Sequence, residues 1–174
     1  MLKLSKKGKI VRLVLFFMLL CGVSTTEGPL SVLVHSVPLV IKTAQDEISY
    51  QVELAFTADK AEAGLMYRTD FPRDRAMLFK NQGSGHFGSE GEIFMWMANT
   101  PLSLDMIFLN AEGIIVSIVE KTVPFSTDII SSKVPAVFAI EVNAGEVSEK
   151  QIKKGRRVIH PAICGKCEGN KNDS

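Results

Sequence analysis

Histidine, cysteine and tryptophan are all scarce in this chain: among 174 residues there are three histidines, three cysteines and one tryptophan. His35, His86 and His160 each fall in a loop-like or terminal stretch. No G-x-S-x-G elbow, no H-E-x-x-H pair and no phosphate-cradling P-loop occurs. Nucleophile–histidine catalysis therefore has thin support, and the motifs of H-E-x-x-H zinc hydrolysis and P-loop nucleotide binding are missing. Three cysteines are too few for a disulfide framework. A long apolar run is missing as well. The longest, Leu13 to Val23, falls short of the roughly 20 residues that span a bilayer.

Acidic residues are absent from positions 1–24, where Lys3, Lys6, Lys7, Lys9 and Arg12 cluster. Of 20 Lys+Arg against 19 Asp+Glu, removing those five bases leaves 15 against 19, a balance of −4. The positive charge is thus an address and not a nucleic-acid footprint. Residues 1–24 read as a secretory signal: a basic start, a short apolar run, then Gly22-Val23-Ser24. Cys21 offers a lipoprotein cut as a second choice, disfavoured by the bulky Leu20. An uncleaved anchor is the third. Each predicts an exported domain, periplasmic or secreted.

What is present is strand pattern. Residues 25–36 read as a linker, with His35 solvated. In ISYQVELAF, Ile48, Tyr50, Val52, Leu54 and Phe56 alternate onto one face, the period of a half-buried strand. Thr57 can cap a helix over Ala58 to Tyr67, in which Gly64 costs about 1 kcal/mol relative to alanine. AMLFK, EIFMWMA, LDMIFLN, IIVSIVEK, VPAVFAIEV and GRRVI read as strands, and VSEKQIKK as one or two helical turns. NQGSGHFGSEGE, with four glycines in twelve residues, reads as a loop. Strands joined by short connections predict a mainly β fold, a sandwich, jelly roll or barrel with one or two short α-helices. One domain is expected over residues 37–160. Residues 161–174 read as a flexible tail carrying the C-x-x-C of Cys164 and Cys167.

Four stretches then carry a family likeness: GLMYR (Gly64 to Arg68), MLF (Met77 to Phe79), WMANTPLSLDMIF (Trp96 to Phe108) and EVNAG (Glu141 to Gly145). In this order and spacing the chain resembles domain-of-unknown-function family 192, also called uncharacterised protein family 0127, over roughly residues 38–160. The resemblance implies a small, mainly β, often exported fold and no established enzyme activity. Ala98 departs from the pattern, since many relatives carry a basic residue there. The C-x-x-C lies outside the shared region.

Asp105 poses the sharpest question, being a carboxylate inside the apolar run LSLDMIFL. Buried, it needs donors or a counter-charge. Arg68 offers a bidentate fork, and Asn99 and Thr100 offer further donors. This group forms either a structural knot or, with Trp96 as an apolar wall, a ligand site. Met95 and Met97 would share one strand face and Trp96 the other. Their thioethers, with His86, make a weak copper candidate beside the plainer reading of core filler. His160, Cys164 and Cys167 give three zinc-type ligands, one short of a closed site, and the cysteines are expected as a local disulfide. Glu141 faces either solvent or Arg68.

These residues predict a non-catalytic binding or accessory module of the cell envelope, with Arg68, Trp96, Asn99, Thr100 and Asp105 as its site. They call for no cofactor and no nucleic acid. The partner is an unidentified small molecule or envelope ligand. An enzyme using Asp105 or Glu141 as acid/base is the alternative, and soft-metal handling the third. Two carboxyl groups converging on an open pocket would favour the enzyme.

Overall fold

The computed structural model describes residues 28–81 and 91–165. Residues 1–24, read above as a signal, His86 with most of its glycine-rich loop, and Cys167 lie outside the described residues.

The fold is mainly β, as the sequence pattern predicts. Seven strands form one sheet in the order β6-β5-β8-β3-β2-β1-β9. They are β1 (Leu39–Lys42), β2 (Glu47–Ala55), β3 (Arg75–Lys80), β5 (Leu104–Leu109), β6 (Ile115–Val119), β8 (Phe138–Asn143) and β9 (Val158–Ile159). A separate ribbon pairs β4 (Phe94–Met95) with β7 (Ile130–Ser131). Every neighbouring pair is antiparallel except β2 and β3, which run parallel. The sheet curls until its edges meet, through an antiparallel bridge between Ile114 and Arg157. Gly113 permits that closure. At φ +76° a Cβ there would lie 2.7 Å from Val158 O.

The curl divides the apolar residues by strand parity. Tyr50 and Val52 of β2, Ala76 and Leu78 of β3, Ile107 and Leu109 of β5, and Ile140 and Val142 of β8 fill the interior. Met77 and Phe79, Met106 and Phe108, and Ala139 face the other way into a second cluster. The alternation read from ISYQVELAF therefore marks the interior face of β2. β5 is buried at all six positions because both of its faces are covered.

Parallel pairing requires a crossover. Here it is made by α1 (Ala58–Ala63) and residues 64–74, which lie over the second cluster. The helix stops at Gly64, short of the expected Tyr67. The closed end of the curl is plugged by α2 (Glu146–Glu149) and the residues after it, which bury Val147 and Ile152. A third helix, α3 (Pro161–Cys164), follows β9. Ahead of β1, Val32 is buried in the second cluster and Val34 bridges Glu53.

Candidate ligand site beside Trp96

Gly64 ends α1 at φ 46°, ψ −125°, backbone that only glycine adopts without strain. A Cβ at Gly64 would sit 3.5 Å from Phe79 Cζ and 4.0 Å from Glu141 Oε2. Opposite Gly64 runs the segment 93–100. It is held by the Tyr67 N–H donating to Asn99 O at 2.7 Å and the Met97 N–H donating to Ser126 O at 3.0 Å. Between crossover and segment lies a cavity of about 150 Å³. Ala58, Ala61, Leu65 and Met66 wall it on one side, Phe79 floors it, and Ile93, Phe94, Met95, Trp96 and Thr100 close the other. Among the described residues its charged lining is Glu62 and Lys80, both exposed. A mostly apolar space of this size, roughly 150 Å³, accommodates a benzene-sized group.

Trp96 and Thr100 thus line the cavity as the sequence suggests, and the other predicted residues go elsewhere. Asn99 is exposed at a turn, with φ 55°. Arg68 does not meet Asp105. Its guanidinium grips Glu53 as a fork, Nη1 to Oε1 at 3.0 Å and Nη2 to Oε2 at 2.6 Å. Arg75 Nη1 adds a third bond to Glu53 Oε1 at 3.1 Å. Glu53 is 2 % exposed, so these two cations are what make its burial tolerable.

Asp105 points into the curl, away from the cavity. Its Oδ1 accepts the Lys121 N–H at 2.8 Å and its Oδ2 the Val147 N–H at 3.0 Å. The carboxylate is a structural knot, but main-chain amides tie it instead of an arginine. It anchors the first turn of α2 beside a second polar group. There the Tyr50 hydroxyl donates to Glu146 Oε2 at 2.9 Å, and Lys150 and Arg73 pair with the same carboxylate. Burial pushes Glu146 up, yet the bonds from Lys150 and Tyr50 and the Arg73 charge outweigh it and hold the group below the usual range.

The carboxyl that does approach the cavity is Glu141 on β8. Its ladder partners, Met77 and Met106, belong to the second cluster. Among the described residues its Oε2 has no hydrogen-bond partner. Burial pushes this carboxyl up to about 8, against the opposing pull of the Arg68 charge. Burial therefore favours the neutral acid over the carboxylate at Glu141. Its signal in the sequence is parity: on β8 it alternates with the interior residues Ile140 and Val142. Gly64 and Glu141 both lie in the stretches that carry the family likeness.

The methionine and zinc candidates come apart. β4 ends at Met95, so strict alternation stops there. Met95 and Trp96 both line the cavity, while Met97 is fully buried in the second cluster. His160 is fully buried, with both ring nitrogens engaged. Nδ1 accepts the Ala162 N–H at 3.1 Å, which leaves Nε2 to donate toward His35 Nδ1 and Val37 O, each at 3.2 Å. His35 is thus a packing partner, not a solvated side chain. Cys164 is disulfide-bonded and offers no thiolate. Among the described residues no group of three or more His, Cys, Asp or Glu is placed to hold a metal ion, and no helix is long and apolar enough to cross a membrane.

The family model described as "DUF192: Uncharacterized ACR, COG1430" matches residues 40–160. A crystal structure from Sinorhizobium meliloti 1021, described as that of a candidate transcription regulator, is similar at 36 % identity and TM-score 0.66. The match covers 76 % of this chain and 97 % of that one. A protein of unknown function from Novosphingobium aromaticivorans DSM 12444 is similar at 25 % identity and TM-score 0.66, covering 75 % of this chain and 94 % of that one. No curated protein matches the chain.

Proposed function

The chain belongs to DUF192, the family of uncharacterised proteins whose model matches it, and from its cavity we propose an exported, non-catalytic module that binds a small apolar group beside Trp96. The observation that carries this reading is the half-open apolar space of about 150 Å³ between the α1 crossover and the Trp96 segment. Concave apolar sites with few polar groups are the usual form of small-molecule sites. The neighbouring loop adds apolar surface: Val123, Phe125 and Ile129 are each more than 60 % exposed.

The carboxyl groups favour binding over hydrolysis. Asp105 and Glu141 face opposite sides of the sheet, and Glu53 is sealed by Arg68 and Arg75. A pair converging on one open site, as glycoside hydrolysis requires, is not formed by these three. The regulator description of the Sinorhizobium relative does not transfer readily. Without its first 24 residues this chain carries a balance of −4, which opposes a phosphate backbone.

Trp96 is the only tryptophan in the sequence, so its fluorescence reports on the cavity directly. Titration with toluene is expected to change Trp96 emission saturably. Met66→Trp, which fills the cavity from the crossover side, is expected to abolish toluene binding as read by calorimetry. A strictly linear response to toluene in the folded protein would refute the binding reading. Export rests on the basic-then-apolar start of the sequence. A mature chain beginning near Thr25 in the exported fraction supports it, and an intact Met1 form confined to the cytoplasm overturns it.

A further inference from the structure

The cavity is mostly apolar, with Glu62, Lys80 and Thr100 as its polar lining, and one buried polar atom stands behind its floor. Its floor ends at Gly64 and Phe79, and behind them Glu141 Oε2 lies 4.0 Å from the place a Gly64 side chain would take. That oxygen is buried and without a hydrogen-bond partner among the described residues. A buried polar atom left unpaired costs roughly 1–3 kcal/mol, so it calls for an explanation. The neighbouring charges supply no partner. Arg68, on the crossover, spends its fork on Glu53 of β2. Lys80 on β3 and Glu62 on α1 are exposed at the cavity's edge. Asp105 on β5 faces the opposite side of the sheet.

We infer that Glu141 recognises the polar end of the ligand through the opening left by Gly64, and that the ligand joins a compact apolar body to an uncharged carbonyl group. This rests on the cavity being a binding site. A ligand oxygen that advances about 1 Å past the place of a Gly64 Cβ, itself 4.0 Å from Oε2, would reach hydrogen-bonding distance. A neutral carboxyl donates its O–H to a carbonyl at no cost in charge. An anionic ligand would place a charge in apolar surroundings, with Lys80 only at the exposed edge of the cavity. A cationic ligand would require Glu141 to ionise where burial opposes it. The absent side chain at Gly64 is part of the device, because any Cβ there would stand in the opening.

Three probes of one ring size separate the possibilities: toluene, benzamide and benzylammonium, each titrated calorimetrically into the full-length protein, with circular dichroism confirming the fold of each variant. Benzamide is expected to bind about tenfold more tightly than toluene at pH 7, the ratio one well-placed hydrogen bond supplies. That advantage is expected to fade above pH 8 as the carboxyl ionises. Glu141→Gln, which keeps a donor that cannot titrate, is expected to retain the preference at every pH. Glu141→Leu is expected to erase it while toluene still binds. Equal affinities for toluene and benzamide overturn the role of Glu141 and leave the cavity reading standing. A preference for benzylammonium that grows with pH overturns the carbonyl class. Failure of all three probes to bind overturns both readings.

Discussion

Asp105 and Glu141 occupy neighbouring positions of one antiparallel ladder yet face opposite sides of the sheet, because Asp105 pairs with Val142 and Glu141 with Met106. One residue of register separates a carboxylate tied by two amides from a carboxyl with an unpartnered oxygen. The first holds the fold together. The second stands behind the cavity, and the two are expected to respond differently to the same chemical change.

Asp105→Asn keeps the shape but replaces one accepting oxygen with a donor, set against the Lys121 or Val147 N–H. Two amides cannot then both be satisfied. The expected loss of stability is about 2–4 kcal/mol, read by urea denaturation. Toluene binding by the folded fraction is expected to be unchanged. An Asp105→Asn protein that melts normally but no longer takes up toluene would place Asp105 in the site after all.

The Arg68–Glu53 fork is expected to behave as a coupled pair. Arg68→Met leaves Glu53 with Arg75 alone and is expected to cost about 2 kcal/mol, less than fully orphaning a buried charge. Glu53→Met leaves two cations unmatched and costs more. Because two apolar side chains pack where two charges stood, the double variant is expected to recover part of the loss. Strict additivity in the double-mutant cycle would show that the fork contributes no coupling.

Period-2 spacing made the strands legible, most clearly in β2, where Ile48, Tyr50, Val52 and Leu54, with Phe56 just past its end, turn inward. It could not orient β5, because a strand covered on both faces shows no stripe. Asp105 was readable as a problem but not as a solution. The sequence displays side-chain charges, so Arg68 looked like its partner, whereas backbone N–H groups leave no mark on the residue string. The partner of Arg68, Glu53, was hidden in the outward positions of β2, which a half-buried reading assigns to water. Arg68 of the crossover, Arg75 of β3 and the bridge to Val34 cover Glu53, while Ser49 and Gln51 on the same face stay exposed. Trp96 and Thr100 were legible as neighbours at one turn, and both line the cavity. Gly64 was legible only as a cost to the helix, and its value as an opening depends on what packs behind it.

His160 gives the protein an acid-sensitive clasp. Burial, and then the neighbouring His35, hold its imidazole below the ordinary histidine range, while its bond to Val37 pulls the other way. A histidine depressed in the folded state favours folding above its unfolded value and loses that contribution as pH falls through the folded value. Stability is therefore expected to decline below about pH 6.5, with amide exchange rising first near Val37 and Ala162. His160→Asn keeps an acceptor for the Ala162 N–H and is expected to flatten the decline. An equal acid response in both proteins would assign it to other groups.

Glu141 is expected to act with the opposite sign and in a different window. Its folded value, about 8, lies above the ordinary 4.5. The folded protein therefore binds one more proton than the unfolded chain between those limits, and each rise in pH favours unfolding. The loss approaches about 1.4 kcal/mol per pH unit within the window and levels off above it. Glu141→Gln carries no such proton, so its stability relative to the parent is expected to grow from pH 5 to pH 8 and then hold constant. Chemical denaturation at four pH values across that range measures the difference. Because the comparison is made on ligand-free protein, it tests the burial of the carboxyl apart from any ligand. A difference that stays flat from pH 5 to pH 8 would mean that Glu141 is ionised in the fold. The carboxyl behind Gly64 would then face an incoming ligand as a charge and would select an ammonium group instead of a carbonyl.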